Sequence, residues 1–356
     1  MLKEVETIEV HTKPAYKVQV GSGLLEQCGE KLAEILEPCK IAVITDSNVA
    51  PLYLGTVVQQ LRKAGFQTVS FQFPAGEQNK NIETYSTILE TLAMAHLTRK
   101  DCIAALGGGV TGDMAGFAAA TFLRGIRYVQ MPTSLLAAVD SSVGGKTAID
   151  LRAGKNLAGA FLQPTAVLCD TACLKTLTPE FFADGTAEAI KTGVLSDAAL
   201  FSVFEEDGWQ EHPESVIARC VAYKAGVVER DEKEQGERKL LNLGHTVGHA
   251  IEKCSDYLIP HGHAVAAGMA IMARAAEKLG WTAEPVADRI SACLAKNHLP
   301  IDTIIPPELL AQAALGDKKR SGDRLTLIVP EKIGKCVLRE IPVGELLSVI
   351  EAGWEV

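Results

Sequence analysis

The sequence lacks the features of a membrane protein and of a disulfide-bonded secreted protein. No uninterrupted apolar run reaches the roughly 18 residues that a membrane helix needs. The start, MLKEVETIEV, has no positively charged stretch followed by an apolar one, so we expect no signal peptide. The nine cysteines are spread singly and form no CxxC pair. These absences predict reduced thiols in a soluble, cytoplasmic protein.

Acidic residues outnumber basic residues in this chain, 44 to 35. The formal net charge of −9 at pH 7 argues against a nucleic-acid-binding surface, because phosphate binding needs a basic face. It does not exclude a small anionic substrate, which depends only on local charge. By contrast, apolar residues are plentiful: the 356 residues are 47% hydrophobic and 22% charged. We therefore expect a globular protein with two domains and separate cores.

Histidines are concentrated in one stretch. Four of the eight lie between positions 245 and 263. His245 and His249 are four residues apart in a segment that reads as helix, so their rings share one face, at a spacing typical of metal ligands. HTVGH lacks the glutamate of the metalloprotease motif HExxH, which disfavours a peptidase. His261 and His263 open another apolar helix and can point back at the first pair. The alternative is a set of histidines that cap or pair inside a helical bundle.

A third, oxygen ligand is available in the segment FADGTAEAIKTGVL. Glu188 is a charged residue on this otherwise small and apolar helix. Two histidines and a carboxylate around an open fourth position are typical of a catalytic zinc-type site, whereas structural sites are closed. The sequence therefore predicts a catalytic metal centre.

The two halves of the chain differ in their patterns. In the first half, strand and helix patterns alternate, and the apolar run KIAVITD ends in Asp46. This is typical of a buried parallel strand with a polar residue at its carboxyl edge, where ligands bind in open α/β sheets. From Thr178, which reads as a helix N-cap before Pro179, helical patterns follow one another. We predict an α/β fold, with a parallel-sheet domain at 1–178 and a mainly α-helical domain at 179–356.

A glycine-rich turn lies between the strand DCIAAL and the helix MAGFAAATF. Gly107, Gly109 and Gly112 fit G-x-G-x-x-G, which lets a pyrophosphate meet backbone N–H groups at a helix N-terminus. The ordinary dinucleotide fingerprint opens its domain, whereas here a β-α-β unit precedes it. If a dinucleotide binds, we expect Asp46 to contact its ribose. The alternative is a glycine turn needed only for tight packing.

A second glycine-rich loop follows, DSSVGGKTAIDLRAGKNLAGAF. Its GKT imitates the end of a P-loop, but Asp140 stands five residues before Gly145, where a P-loop needs glycine, so we exclude a nucleotide kinase. The loop displays Asp140, Lys146, Lys155 and Asn156, more polar function than a connection requires. The alternative is a solvated loop.

Cations accompany the predicted metal ligands. Lys191 is three residues after Glu188 on the same helix face, Lys224 lies on an apolar helix, and Arg238 precedes the histidines. Each alone would be ordinary surface solvation. Together with Lys146 they favour a substrate that carries carboxylate or phosphate. A dinucleotide, a divalent metal and an anionic polyol-like substrate indicate oxidation at a metal-bound hydroxyl.

These blocks give the chain a resemblance to the 3-dehydroquinate synthase family over essentially its whole length. The shared blocks are PAGEQNK, GGGVTGD, MPTSLLAAVDSSVGGKTAID, GKNLAGAF, AEAIKTG, LNLGHTVGHAIE, HGHAVAAGM and the late DKK. The resemblance implies a Rossmann-like NAD domain, a helical metal domain, an active site in the cleft between them and a homodimer. The implied reaction converts 3-deoxy-D-arabino-heptulosonate 7-phosphate to 3-dehydroquinate and phosphate, a step of the shikimate pathway to aromatic amino acids.

The resemblance also implies residue roles, position by position. The metal ligands would be Glu188, His245 and His261, and the ion zinc or cobalt. His249, although spaced for a metal, would assist phosphate binding and proton transfer. The phosphate would be held by Lys146, Asn156 and Lys318, with Arg124 from the other subunit. The carboxylate would bind Lys224 and Arg238, and hydroxyls would be oriented by Asp140, Lys191 and Asn242. The NAD would be lined by Asp46, Glu77, Lys80, Gly108, Gly109, Val110, Asp113, Thr133, Ser134, Lys146, Lys155 and Thr176.

One residue departs from the family's pattern. His263 stands where the family more often has glutamate, in HGEAVA, and it could compete as a metal ligand. The choice between Lys318 and Lys319 also stays open.

The implied mechanism uses NAD catalytically. NAD oxidises a hydroxyl whose pKa the metal lowers, phosphate leaves, the hydride returns, and the opened ring closes by an aldol step. The enzyme would be a phosphate-eliminating lyase.

Other functions remain open at this point. A metal-dependent polyol dehydrogenase shares the architecture, but Lys146, Lys224 and Arg238 would have nothing to bind on a neutral polyol. A cyclase for a sugar phosphate without a carboxylate would likewise not need Lys224 and Arg238. A binding module without catalysis would be expected to lack one of Glu188, His245 and His261, and the sequence has all three.

Overall fold

The structure is a computed structural model that describes residues 5–316 and 323–355. The chain divides into two compact units. The first comprises Met1–Leu177 and Lys224–Lys233, and the second comprises Thr178–Tyr223 and Glu234–Val356. Sequence patterns place the first break next to Thr178, but they contain no sign that the segment from Lys224 returns to the first unit.

The first unit is an α/β unit. Its strands are β1 (Glu6–Val10), β2 (Tyr16–Gly21), β3 (Lys40–Asp46), β4 (Gln67–Phe73), β5 (Cys102–Gly107), β6 (Arg127–Pro132), β7 (Lys146–Leu151), β8 (Gly154–Phe161) and β9 (Ala166–Asp170). Its helices are α1 (Cys28–Ala33), α2 (Gly55–Lys63), α3 (Ile82–Met94) and α4 (Gly109–Thr121). A seven-stranded sheet has the order β1-β2-β9-β6-β5-β3-β4, and β7 and β8 form a separate antiparallel hairpin. Within the sheet only β1 and β2 pair antiparallel, so the predicted parallel sheet is confirmed.

The strand β3 shows why this sheet is covered on both faces. Alternate side chains of a strand point to opposite faces. Ile41 and Val43 belong to one apolar core, shared with residues of α1 and α2, while Ala42 and Ile44 belong to another, shared with α3 and α4. The strand is thus apolar at successive positions, and its last residue, Asp46, stands at the carboxyl edge.

The helix α4 lies very close to its neighbours because it is built of small residues. A Cβ on Gly112 would come 2.6 Å from the Gln130 side chain, and one on Gly116 would come 2.4 Å from the Thr147 methyl group. Both positions require glycine for tight packing, which sets α4 against β6 and β7.

The second unit is mainly helical, as predicted. Its helices are α5 (Pro179–Ser196), α6 (Ala198–Glu205), α7 (Pro213–Arg230), α8 (His245–Cys254), α9 (His261–Lys278), α10 (Ala287–Lys296), α11 (Pro307–Leu315) and α12 (Leu346–Gly353). The last residues of α7, from Lys224 on, belong to the first unit. The strands β10 (Arg324–Lys332) and β11 (Lys335–Pro342) form a hairpin. The predicted start of α5 is confirmed, because the Thr178 hydroxyl accepts a bond from the Phe181 N–H at 3.3 Å.

Backbone contact between α8 and α9 is the packing feature that matters for the histidines. A Cβ on Gly268 would lie 2.2 Å from the Gly244 carbonyl oxygen, and one on Gly248 would lie 3.0 Å from the Cα of Val265. Gly244 has a left-handed backbone, with φ of 77°, and it directly precedes α8. Glycines therefore let the first turn of α8 approach α9. In the described ranges, no helix is both long and apolar enough to cross a membrane.

Candidate functional site

Three predicted metal ligands meet in the second unit. Glu188 lies in the middle of α5, His245 is the first residue of α8, and His261 is the first residue of α9. Glu188 Oε1 is 3.6 Å from His245 Nε2 and 3.5 Å from His261 Nε2. Ligands about 2.0–2.1 Å from a tetrahedral ion are themselves about 3.4 Å apart. The three side chains therefore fit a divalent cation of the zinc type.

The other ring nitrogen of each histidine is held by a hydrogen bond. His245 Nδ1 lies 3.0 Å from the Leu243 carbonyl oxygen, and His261 Nδ1 lies 3.2 Å from Glu252 Oε2. Such bonds favour a proton on Nδ1 and orient Nε2 toward the position that a metal would occupy. Burial lowers the pKa of His261, but the bonds to Glu188 and Glu252 outweigh it and raise that pKa to about 10. A metal ion at this site must therefore displace a proton from His261.

Glu252 is a residue that sequence reasoning missed. Its side chain is buried, and it could form a second ligand set with His249 and His261. The available signal is its place three residues after His249, which puts both on one helix face. The carboxylate bonded to His261 Nδ1 is the arrangement by which proteins orient a metal-bound histidine.

The remaining two histidines differ in their surroundings. The His249 ring lies 5.2 Å from the His245 ring and 5.9 Å from the His261 ring, centroid to centroid. The His263 ring instead places Nδ1 3.2 Å from Asp184 Oδ1. Of the two metal-capable sets found among residues 5–316 and 323–355, neither contains His263.

Cationic and polar side chains lie near these metal-ligand candidates along the chain, and one of them, Lys191, contacts Glu188 directly. Lys191 forms an ion pair with Glu188 Oε2, and both side chains are buried. Arg238 is only 1% exposed, on a short 3₁₀ helix at Glu237–Asn242. The Asn242 amide donates to Glu234 at 2.5 Å, and Glu234 was not singled out from the sequence.

In the first unit, predicted cofactor residues gather around Lys80. Its ammonium group donates to Asp113 at 2.6 Å and to the amide oxygen of Asn156 at 2.6 Å. Glu77 lies 3.8 Å from the Lys80 ammonium and 3.7 Å from that of Lys155. Burial lowers the pKa of Lys80, but the nearby carboxylates raise it overall. Lys80 is therefore a fixed positive charge among groups predicted to bind NAD.

The glycine-rich turn stands where two parallel strands end. Gly108 is the N-cap of α4, and Val110 lies in its first turn. The Thr133 N–H donates to the Gly107 carbonyl at 3.0 Å, and the Ser134 hydroxyl is 3.4 Å from the Cβ position of Gly108. A helix N-terminus with free backbone N–H groups favours an anion such as a pyrophosphate.

Both carboxylate oxygens of Asp46 accept hydrogen bonds from neighbouring residues. Its Oδ1 accepts bonds from the N–H groups of Asn48 and Val49, at 2.8 and 3.1 Å. Its Oδ2 accepts a bond from the Thr111 hydroxyl at 3.2 Å. A ribose at this strand end would have to share these oxygens. Thr176 bonds the Tyr53 hydroxyl at 2.6 Å.

Four further residues with predicted roles lie in the first unit. Lys224 donates to the Asp140 carbonyl at 2.8 Å and to its carboxylate at 2.7 Å, so the structure pairs these two residues. Lys146 is the exposed first residue of β7. Arg124 has a left-handed backbone, with φ of 67°. Lys318 lies outside the described residues.

Asp150, in β7, is a further residue that sequence reasoning missed. Its Oδ1 accepts a bond from the Asn156 N–H at 2.8 Å, and Asn156 has a left-handed φ of 55°. The Asp150 N–H in turn donates to the Lys80 carbonyl at 2.8 Å. Burial raises the pKa of Asp150 to about 6, against the opposing effects of the Asn156 bond and Lys80. Asp150 therefore fixes the turn that presents Asn156.

Solved structures share this fold along nearly the whole chain. A 2-deoxy-scyllo-inosose synthase, solved with carbaglucose-6-phosphate, NAD+ and Co2+, is 25% identical with a TM-score of 0.86, covering 98% of this chain and 100% of that one. A 2-epi-5-epi-valiolone synthase from Streptomyces hygroscopicus, solved with NAD+ and Zn2+, is 26% identical with a TM-score of 0.85, covering 99% and 97%. The NADH-dependent butanol dehydrogenase A of Thermotoga maritima shares the fold alone, at 16% identity, a TM-score of 0.67 and coverage of 96% and 97%. The fold is that of the sugar-phosphate cyclases and related dehydrogenases.

Sequence comparisons narrow this class to one family. Family models described as 3-dehydroquinate synthase N-terminal and C-terminal match residues 70–184 and 185–320. A 3-dehydroquinate synthase of Clostridium kluyveri is 40% identical over 356 residues, covering 97% of this chain and 98% of that protein. The one from Pelobacter propionicus is 44% identical over 346 residues, covering 94% and 96%. The chain belongs to the 3-dehydroquinate synthase family, so the resemblance seen in the sequence is confirmed.

Proposed function

We propose that this protein is a 3-dehydroquinate synthase, which converts 3-deoxy-D-arabino-heptulosonate 7-phosphate to 3-dehydroquinate and phosphate with NAD and one divalent metal ion. The observation that carries the proposal is the Glu188, His245 and His261 cluster with Lys191 beside it, in a chain of this family. The product feeds the synthesis of aromatic amino acids.

In this proposal the three clustered side chains hold the metal, zinc or cobalt. A bound metal would lower the pKa of a substrate hydroxyl, and NAD would accept and return a hydride. Glu252 holds the His261 ring with Nε2 toward Glu188, and Leu243 does the same for His245. The pairing of Lys191 with Glu188 keeps an ammonium donor beside the metal cluster, where it can orient a hydroxyl of the substrate.

Buried cations support an anionic substrate. Lys191, Lys224 and Arg238 are 2%, 8% and 1% exposed, and a cation in a site of low dielectric binds an anion more strongly than one in water. Lys191 and Lys224 already pair with Glu188 and Asp140, and the substrate carboxylate is assigned to Lys224 and Arg238. Phosphate binding is assigned to Lys146, Asn156 and Lys318, and to Arg124 of a second subunit. Hydroxyls are assigned to Asp140, Lys191 and Asn242, and phosphate contact with proton transfer to His249.

The NAD site is assigned to the first unit. The supporting features are the helix N-terminus at Gly108 and Gly109, and the ion pair of Lys80 with Asp113, which lies on the same helix. The residues proposed to line the cofactor are Asp46, Glu77, Lys80, Gly108, Gly109, Val110, Asp113, Thr133, Ser134, Lys146, Lys155 and Thr176.

The proposal extends to domains, assembly and location. NAD binding is assigned to the domain at 1–178, and metal and substrate binding to the domain at 179–356. The compact units support this boundary, with Lys224–Lys233 as an exception that belongs to the first unit. The protein would act as a homodimer in the cytoplasm.

The first test follows phosphate release and NADH absorbance together. The full chain is given NAD, zinc or cobalt, and the heptulosonate phosphate. Many phosphates released per enzyme without net NADH are the expected result, since NAD is regenerated in each cycle. NADH that accumulates with a neutral polyol, and no phosphate from the heptulosonate, would indicate a polyol dehydrogenase instead. Replacing the substrate by a sugar phosphate without a carboxylate tests for another cyclase.

A further inference from the structure

The first turn of α9 has no side-chain cap of its own. Its N-cap is Pro260, which accepts the first intrahelical bond through its carbonyl, from Ala264 at 3.0 Å, but whose side chain has no acceptor. The first N–H groups of a helix need acceptors from elsewhere. Asp184, on α5, supplies one, because its Oδ1 lies 3.1 Å from the His263 N–H.

The same carboxylate also binds the side chain of His263. Asp184 Oδ1 lies 3.2 Å from His263 Nδ1, and the two side chains are only 11% and 17% exposed. One carboxylate thus meets a backbone donor and a ring donor of one residue. Partial burial strengthens such bonds, and a negative charge at a helix N-terminus is favoured by the helix dipole.

Gly262 allows this contact to be so close. A Cβ at this position would lie 1.9 Å from the Asp184 carbonyl oxygen and 2.8 Å from its carboxylate. Any other residue would push the first turn of α9 away from α5. The two helices therefore touch at the backbone where Asp184 and His263 meet.

This contact joins the two turns that carry metal-cluster residues. Asp184 lies four residues before Glu188 on α5, hence on the same helix face, and His263 lies two residues after His261 on α9. Fixing Asp184 against His263 fixes Glu188 against His261, whose facing atoms are 3.5 Å apart.

We infer that Asp184 and His263 form an interhelical clamp that sets the separation of Glu188 and His261 and thereby raises metal affinity. Both are positioning residues, and His263 acts as a donor to Asp184 in place of competing for the metal. The inference rests on the proposed metal centre, and it gives a function to the histidine that departs from the family's pattern.

The test uses Co2+ binding by the metal-free full chain, with two readouts besides activity. Affinity is measured by competition with a chelator, and coordination geometry by the visible absorption of bound Co2+. Asp184→Ala removes both bonds and is expected to weaken Co2+ binding about tenfold or more and to change the spectrum. Asp184→Asn keeps an acceptor for the His263 N–H and is expected to lose less than about threefold.

The matched control is Asp197→Ala. Asp197 likewise accepts a bond from the first turn of a helix in this unit: it is the N-cap of α6, and its Oδ1 accepts a bond from the Leu200 N–H at 3.0 Å. This variant should lose thermal stability but keep the Co2+ affinity and spectrum. If Asp184→Ala also lowers only thermal stability, Asp184 is a structural cap and the clamp is wrong.

Two His263 variants give a second test that does not depend on Asp184→Ala folding. His263→Leu removes the ring donor to Asp184 and should weaken Co2+ binding at least about threefold, whereas His263→Gln keeps a side-chain amide that can donate to Asp184 and should retain most of the affinity. Wild-type Co2+ affinity and an unchanged spectrum in His263→Leu contradict the clamp. Glu188→Gln separates the two hypotheses: if it binds Co2+ as the wild type does, the proposed metal centre itself is wrong.

Discussion

The ammonium group of Lys80 lies 2.6 Å from the Asp113 carboxylate, and the Lys80 side chain is only 4% exposed. It also donates to Asn156 at 2.6 Å, so one buried cation connects the loop after β4, the helix α4 and the hairpin of β7 and β8. Three segments predicted from the sequence to contact NAD are therefore held together by one charge.

Replacing Lys80 tests this arrangement. Lys80→Met should lower the free energy of unfolding by about 3 kcal/mol, because it leaves the Asp113 carboxylate, whose side chain is only 20% exposed, without its cationic partner. Urea denaturation followed by circular dichroism measures the change. Adding Asp113→Asn should recover part of the loss, since the uncompensated charge is then removed. Equal instability of the double variant and Lys80→Met would mean that the ion pair is not the cause.

Glu252 is expected to act on the metal through His261. Glu252→Gln should weaken zinc binding about 10- to 100-fold, because the amide is a poorer acceptor for the His261 Nδ1–H than a carboxylate. Bound zinc after dialysis against a graded chelator gives the affinity. The matched control is Asp256→Asn. Asp256 is an exposed acid in the turn after the same helix, and its left-handed backbone conformation is one that asparagine also adopts. Zinc affinity equal to wild type in Glu252→Gln would remove Glu252 from the site.

The raised pKa of Asp150 predicts that its contribution to the stability of the protein falls as pH rises. Its pKa in the folded protein is raised to about 6 from 3.8. Its protonation therefore contributes stability that is present below about pH 4 and is lost as pH rises through 6. Asp150→Asn, which is always neutral and keeps an acceptor for Asn156, should raise the melting temperature at pH 8 and change it little at pH 4.

The control variant, Asp101→Asn, is expected to change the melting temperature in the opposite direction. Burial raises the pKa of Asp101, but bonds from Thr98 and Lys40 N–H groups outweigh it, so the pKa is lowered overall. Asp101 thus contributes stability at neutral pH that is lost on acidification, and Asp101→Asn should lower the melting temperature at pH 8. Thermal melts at pH 4, 6 and 8 compare the two variants. A stabilising effect of Asp150→Asn that is the same at every pH would show that the charge of Asp150 is not responsible.

Gly268 tests the close contact of α8 and α9. Gly268→Ala places a Cβ 2.2 Å from the Gly244 carbonyl oxygen, and a backbone atom cannot move aside as a flexible side chain would. We expect a loss of about 3 kcal/mol or more in unfolding free energy, together with weaker zinc binding because His245 directly follows Gly244. Gly344→Ala, which has no heavy atom within 4 Å of its Cβ, should change stability by less than about 0.5 kcal/mol. Similar stability losses in both variants would contradict the close approach.

Local patterns in the sequence were enough to predict the main helices and strands and the types of residue that carry the chemistry. The run KIAVITD predicts a buried parallel strand, and Thr178 with Pro179 predicts the start of α5, because apolar burial and helix capping depend on residues that are adjacent in the chain. The histidine cluster and Glu188 were visible for the same reason, as reactive side chains close together in an otherwise apolar context.

Which side chains meet depends on how the helices pack in three dimensions. Spacing on one helix pairs His245 with His249, whereas contact of α9 with α8 at Gly268 brings His261 to His245, and contact of α9 with α5 at Gly262 brings it to the Glu188 carboxylate. The roles of Glu252, Asp184 and Asp150, and the return of the segment from Lys224 to the first unit, were likewise not visible in the sequence. Hydrogen bonds of this kind join elements that are distant along the chain, and their geometry follows from how closely the backbones pack, which no local pattern of residues records.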